Sequence, residues 1–174
     1  SKSIAEQNSV EMAWELLEDD NFRDLRACIF PNEKEHNRFR SMVVNVVMAT
    51  DICDPSLRTF REMKWERAFS STNLLAASVE YDAAEARSRK ATVVRDLIIQ
   101  AADISHMMQP FDVYEKWNRR LYHEMHSAYV EGRAAKDPSS NWYTGELIFY
   151  DKHIIPLAKR LKESGAFGPA GDTL

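Results

Sequence analysis

Asp103 and His106 stand three residues apart at the end of the apolar run 97–102. At that spacing a helix end could present a carboxylate and an imidazole to one metal ion. The plainer alternative is a helix C-terminus whose polar groups only cap it. His123-Glu124-Met125-His126 falls one residue short of the H-E-x-x-H spacing that aims two imidazoles at zinc. The shortening turns the second ring away, so a solvated helix face is expected. Glu6 and Glu146 read as ordinary surface carboxylates by the same physics. Trp142, Tyr143, Phe149 and Tyr150 form an aromatic cluster, either core or a wall for a flat ligand ring. Cys28 and Cys53 have neither CxxC spacing nor a His partner, so buried thiols are expected.

These residues need helices to position them. Val10, Ala13, Trp14 and Leu17 recur at helical spacing over about 3–19. Phe22 and Leu25 mark a short second helix ending near Phe30-Pro31. Asn32 followed by Glu35 has capping-box spacing and opens a third helix at Glu33. Its apolar face (Phe39, Met42, Val43, Val46, Val47, Thr50) predicts deep burial. Asp54-Pro55 reads as an N-cap followed by Pro at the first helical position, with the helix running towards Phe69. Residues 70–89 read as a loop, mobile or partner-facing, with some helix at Ala83–Arg87. A helix over about 90–103 follows. Another over about 111–134 is expected to bury Tyr114, Trp117, Leu121, Met125 and Ala128. Residues 136–141 are a loop by composition. The last helix, about 144–164, ends at Gly165, and Gly168 to Leu174 has little reason to be ordered. The fold class is all-α, a compact multi-helix domain.

With 174 residues, 44% hydrophobic and 29% charged, the chain has the size and composition of one globular domain. A net charge of −4 gives no basic excess for nucleic acid or an anionic membrane. No run of ~18 apolar residues offers a membrane span. Two cysteines are too few for a disulfide scaffold and suit a reducing compartment. The first residues lack a Met and an apolar signal region and read as the middle of a helix, so the chain is expected to be a piece of a longer one.

Four segments in order carry a resemblance. A-A-D-I-S-H-M-M-Q-P-F-D-V-Y-E-K-W at 101–117 resembles the A-D-x-S-N-P segment of class I 3',5'-cyclic nucleotide phosphodiesterase catalytic domains, with a Pro and a Trp at matching spacing. Residues 46–52, V-V-M-A-T-D-I, resemble that family's L-A-T-D-M segment. Residues 5–17, A-E-Q-N-S-V-E-M-A-W-E-L-L, resemble its E-N-H-H helix. Residues 146–157, E-L-I-F-Y-D-K-H-I-I-P-L, resemble Q-x-G-F-I-x-x-I-x-x-P-L. The resemblance implies a divergent member with an HD/phosphodiesterase-like helical fold, residues 1–165 forming the C-terminal portion of the catalytic domain and 166–174 a tail.

It also implies a two-metal phosphohydrolase. Zinc and magnesium (or manganese) would share a hydroxide that opens cyclic AMP or cyclic GMP to the 5'-monophosphate, the cations lowering the water's pKa and stabilising charge. By position, Asp103 matches a metal-ligating Asp and Glu6 the active-site Glu. Thr50 and Asp51 match a segment lining the metal pocket, Ile52 and His106 are implied substrate-binding positions, and His106 stands where the family has Asn. Phe149 matches the Phe that stacks on the purine, and Glu146 replaces the purine-reading Gln. A carboxylate accepts but does not donate, so Glu146 could take an amino or ring N–H but not copy an amide's two-way pairing. The chain has five His and no His-Asp dipeptide, and none of the five matches the family's catalytic or metal-binding His. One carboxylate cannot hold a zinc that needs about three or four protein ligands. Two functions follow as expectations. One is a cyclic nucleotide phosphodiesterase whose remaining ligands come from a missing N-terminal half of the domain or a partner chain. The other is an inactive, phosphodiesterase-derived helical subunit serving as a structural or interaction protein. The expected location is the cytoplasmic side, with a parent protein that could be membrane-attached.

Overall fold

The computed structural model describes residues 3–69 and 80–173, and every regular element among them is helical. The all-α expectation holds. The chain divides into two compact units, Ser1–Gln100 and Ala101–Leu174. No helix is long and apolar enough to cross a membrane among the described residues.

The first unit contains α1 Ile4–Glu18, α2 Arg23–Ile29, α3 Glu33–Ala49, α4 Pro55–Phe69 and all but the last three residues of α5 Glu80–Asp103. The caps read from the sequence are present. Asn32 Oδ1 accepts the Glu35 N–H at 3.0 Å. Asp54 Oδ1 accepts the Ser56 N–H at 2.7 Å and the Ser56 hydroxyl at 2.6 Å, satisfying a helix start that would otherwise leave donors orphaned. Trp14 of α1 stacks against Phe39 of α3 at 6.0 Å, with Phe30 5.6 Å from the same Phe39 ring. Helix α4 meets α5 through Lys64, whose ammonium lies 3.0 Å from Asp96 Oδ2. The Asp96 side chain is 6% exposed, and its Oδ1 is buried without a hydrogen-bond partner. A hollow of about 40 Å³ lies beside Asp96, room enough for a water.

The second unit contains α6 Phe111–Val130, α7 Trp142–Phe149 and α8 Ile155–Glu163, with a 3₁₀ turn at Ser105–Met108. Its core is Ile104, Met107, Ile154, Leu157 and Leu161, the last only 2% exposed. Between α7 and α8 the helix does not break but widens into a π turn, Tyr150–Ile154. Gly165 follows α8 at φ 69°, the left-handed closing residue that the sequence implied.

Several expectations need correction. Helix α5 begins at Glu80, ten residues before the expected start, because Ala, Glu, Arg and Lys favour helix even where the apolar period is weak. The rest of that expected loop, residues 70–79, lies outside the described residues. Helix α3 is not deeply buried: Ala49 is its one buried residue and Met42 is exposed. On α6, Trp117, Leu121 and Met125 are exposed, while Tyr114 and Ala128 are half-buried. Periodicity locates an apolar face but does not provide what covers it. Helix α6 also stops at Val130, where Gly132 takes a φ of 74° and the Arg133 N–H returns to Ala128 O at 2.8 Å. Cys28 and Cys53 are exposed, not buried. The tail is ordered as a 3₁₀ helix, Gly168–Thr173, with Gly171 buried against Lys162 of α8.

Candidate functional site

In the second unit, α6 and α7 converge on Glu146. The Tyr114 hydroxyl donates to Glu146 Oε2 at 2.7 Å, and Asn118 Nδ2 donates to the same oxygen at 2.6 Å. Tyr114 and Asn118 are one turn apart on α6, so a single helix face supplies both donors. Asn118 Nδ2 also lies 3.2 Å from the Tyr114 oxygen, which accepts while its proton goes to Glu146. Trp142 Nε1–H donates to Asn118 Oδ1 at 2.9 Å. An indole can only donate, which fixes the amide: its oxygen faces Trp142 and its NH₂ faces Glu146. Tyr122 stands edge-on to Trp142 at 5.2 Å and backs the indole.

One carboxylate oxygen is therefore filled by two donors, while Glu146 Oε1 accepts none among the described residues. Burial, and then the hydrogen bond and charge of Glu146, push the Tyr114 phenol well above the ordinary tyrosine value. Tyr150 is pushed up by burial and by the same carboxylate. Both phenols thus stay protonated, and Tyr114 remains a donor. The Tyr150 hydroxyl donates to Met107 O at 3.1 Å, tying the last helix to the 3₁₀ turn that carries His106. Phe149 is half-buried one turn beyond Glu146, on the same side of α7, its ring 5.1 Å from that of His153.

The first unit holds further candidates. Asp51 accepts from the Ser3 hydroxyl, which ties the start of α1 to the segment after α3. Asp51 Oδ1 also accepts the Cys53 and Asp54 N–H groups, each at 3.1 Å, so the turn carrying Ile52 is set by that carboxylate. Glu6 lies in the first turn of α1, half-buried like Ile52. The Thr50 hydroxyl is spent on Val47 O at 2.8 Å.

The model of the 3'5'-cyclic nucleotide phosphodiesterase family matches residues 1–164. The chain belongs to that family. A Caenorhabditis elegans protein named probable 3',5'-cyclic-AMP phosphodiesterase pde-4 is 27% identical over 125 residues. That alignment takes in 71% of this chain and 17% of the nematode protein, so the chain spans a small part of its relative. No solved structure matches.

Family membership makes the metals worth testing against the residues present. Asp103 ends α5 with an exposed carboxylate, and His106 sits half-buried in the turn that follows. Among the described residues, no three His, Cys, Asp or Glu side chains come together as a group that could hold a metal ion. These residues do not fit the zinc and magnesium (or manganese) pair.

Sequence reasoning named Glu146 and Phe149 but missed Asn118 altogether, and took Tyr114 as apolar packing. The available signal was polarity at i and i+4 on an otherwise apolar face of α6. It also missed the Lys64–Asp96 pair, for which an acidic residue at the head of the apolar run 97–102 was the clue.

Proposed function

We propose that residues 1–165 are the base-binding, C-terminal portion of a cyclic nucleotide phosphodiesterase catalytic domain, with 166–174 trailing it. The observation that carries this is Glu146. A half-buried carboxylate is locked by two donors through one oxygen, its other oxygen is left open, and an aromatic ring stands one turn away. Such a pair suits a nucleobase, with Phe149 meeting the ring face and Glu146 the hydrogen-bonding edge. By family position, Glu6 is further assigned a catalytic role, and Ile52 and His106 substrate-binding roles. Asp103 is assigned as one metal ligand of a set completed by residues outside this chain's described ones, in the rest of the domain or in a partner chain. Hydrolysis of the cyclic phosphodiester to the 5'-monophosphate belongs to that completed assembly. The two free, exposed thiols favour a reducing compartment on the cytoplasmic side.

The test is binding of cyclic AMP and cyclic GMP to the chain, followed by ligand-observed NMR. Binding of at least one nucleotide, lost in Phe149→Ala, is the expected result. A folded chain that takes up neither would refute the reading.

The second reading is a catalytically inactive helical subunit with a structural or interaction role. The exposed Trp117, Leu121 and Met125 and the unmatched Asp103 favour it. It predicts no nucleotide binding and no metal in the native assembly by elemental analysis.

A further inference from the structure

We propose that the first unit carries a binding site of its own between α4 and α5, for a small amphiphile that joins an apolar chain to one carboxylate, of the medium-chain fatty acid class. Every residue involved lies between positions 60 and 96, so the base-binding reading of Glu146 and Phe149 can fail without it.

Two contacts set the geometry. The Lys64 ammonium meets Asp96 Oδ2 at 3.0 Å, and the Lys90 ammonium lies 5.5 Å from the centre of the Phe69 ring. The partner's number falls along α5 as the number rises along α4, so the two helices run antiparallel. Between them lies a cavity of about 330 Å³, within the range of small-molecule sites. Phe60, Met63 and Arg67 line it from one face of α4, and Arg89, Thr92 and Val93 from one face of α5. Val93 is buried, whereas Phe60 and Met63 are 46% and 48% exposed, apolar surface that a ligand would take out of water.

Antiparallel packing sorts the lining by polarity. Phe60, Met63 and Val93 lie towards one end, and Arg67, Arg89 and Glu85 towards the other. Phe60 and Arg67 are seven residues apart, about 10 Å by the helix rise. In the middle, the Thr92 hydroxyl is spent on Ser88 O at 3.0 Å and is not a donor for a ligand. Lys64 also lines the cavity, but its charge is answered by Asp96.

At the polar end, two guanidinium groups against one carboxylate leave a surplus of one positive charge, on a chain whose net charge is −4. Glu85 Oε1 engages Arg89 through Nη1 at 2.6 Å. A guanidinium offers five N–H donors in a fork, so this bond leaves others for a second carboxylate. The surplus matches one anionic head group. Water occupies about 30 Å³ in the liquid and a methylene is of similar size, so the cavity takes about ten such groups. A chain of about eight to ten carbons ending in a carboxylate therefore fits the volume, the polarity and the charge.

The experiment measures dissociation constants of hexanoate, octanoate, decanoate and decanol for the full chain by isothermal titration calorimetry, below their aggregation concentrations. Each two-carbon step from hexanoate to decanoate should tighten binding by about tenfold. Decanol should bind about tenfold more weakly than decanoate, the scale of a hydrogen bond to a charged group. Arg89→Gln should bring decanoate down to the level of decanol. Glu85→Gln removes the competing carboxylate and should tighten decanoate by about threefold. Ser88→Trp fills the cavity from an exposed position on α5 and should abolish binding. Circular dichroism and urea midpoints confirm that each variant folds. Decanol bound as tightly as decanoate would overturn the carboxylate assignment. Binding that survives Ser88→Trp would overturn the site, and no saturable binding would overturn both. A concentration-dependent dimer lost in Ser88→Trp, with no decanoate bound, would give the cavity to a second copy of the chain and overturn the assignment as well.

Discussion

Tyr114 ties the candidate site to stability. Its phenol, like that of Tyr150, is pushed above the ordinary tyrosine value, first by burial and then by Glu146 or its charge. The unfolded chain loses these protons at about pH 10, while the folded chain keeps them. Above that pH the unfolded state binds fewer protons, so stability falls as pH rises. The phenols' contribution is whole below about pH 10 and is lost from there towards the folded values. Tyr114→Phe is expected to flatten this alkaline fall in a series of urea midpoints. It should also cost about 1–2 kcal/mol near neutral pH, through the lost hydrogen bond to a carboxylate. An alkaline branch of unchanged steepness would show that the phenol is not what folding protects. At this scale the sequence was half legible. Glu146 and Phe149 could be named because they sit in one short segment with a recognisable pattern. Their partners could not, because Tyr114 and Asn118 lie 32 and 28 residues away and meet Glu146 only through the packing of α7 on α6.

Helix ends were the most legible elements. Asn32 and Asp54 cap α3 and α4 with side chains two or three residues from their targets, so local chemistry decides them. Asp54→Ala is accordingly expected to lower stability by about 1–2 kcal/mol, read from the urea midpoint. What local chemistry does not decide is coverage. The apolar faces of α3 and α6 were read correctly as faces and wrongly as core, since exposure depends on a neighbour that the period cannot name. The α4–α5 contact was not legible either, and makes a sharper test. Replacing Lys64 by Met leaves Asp96 buried without its counter-charge, beside an Oδ1 already lacking a partner. A loss of about 3 kcal/mol is expected, the low end for breaking a buried pair, because Lys64 retains some solvent contact. A loss under about 0.5 kcal/mol would mean that water in the adjoining hollow already solvates Asp96.

For the whole chain, the all-α class and the family pattern were both readable, because four segments in order are hard to produce by chance. Activity is another matter. The purified chain is expected to hydrolyse neither cyclic AMP nor cyclic GMP in the presence of zinc and magnesium, since the described residues assemble no metal group. Turnover that disappears in Asp103→Ala would overturn this and restore the residue to a working centre. The π turn at Tyr150–Ile154 bears on the molecule at this scale too. A helix that spends one residue more than its ladder needs is a phase shifter: everything after it is turned by about 100° relative to an unbroken α-helix. Glu146 and Phe149 lie before the shift, and Leu157 and Leu161 after it. Removing one residue from the turn would restore an unbroken ladder, yet would rotate those two leucines out of the core or Glu146 away from Tyr114 and Asn118. The length of this segment, more than the identity of any residue in it, keeps the Glu146 hydrogen bonds and the leucine core in step, so deletions there should be tolerated far less than substitutions.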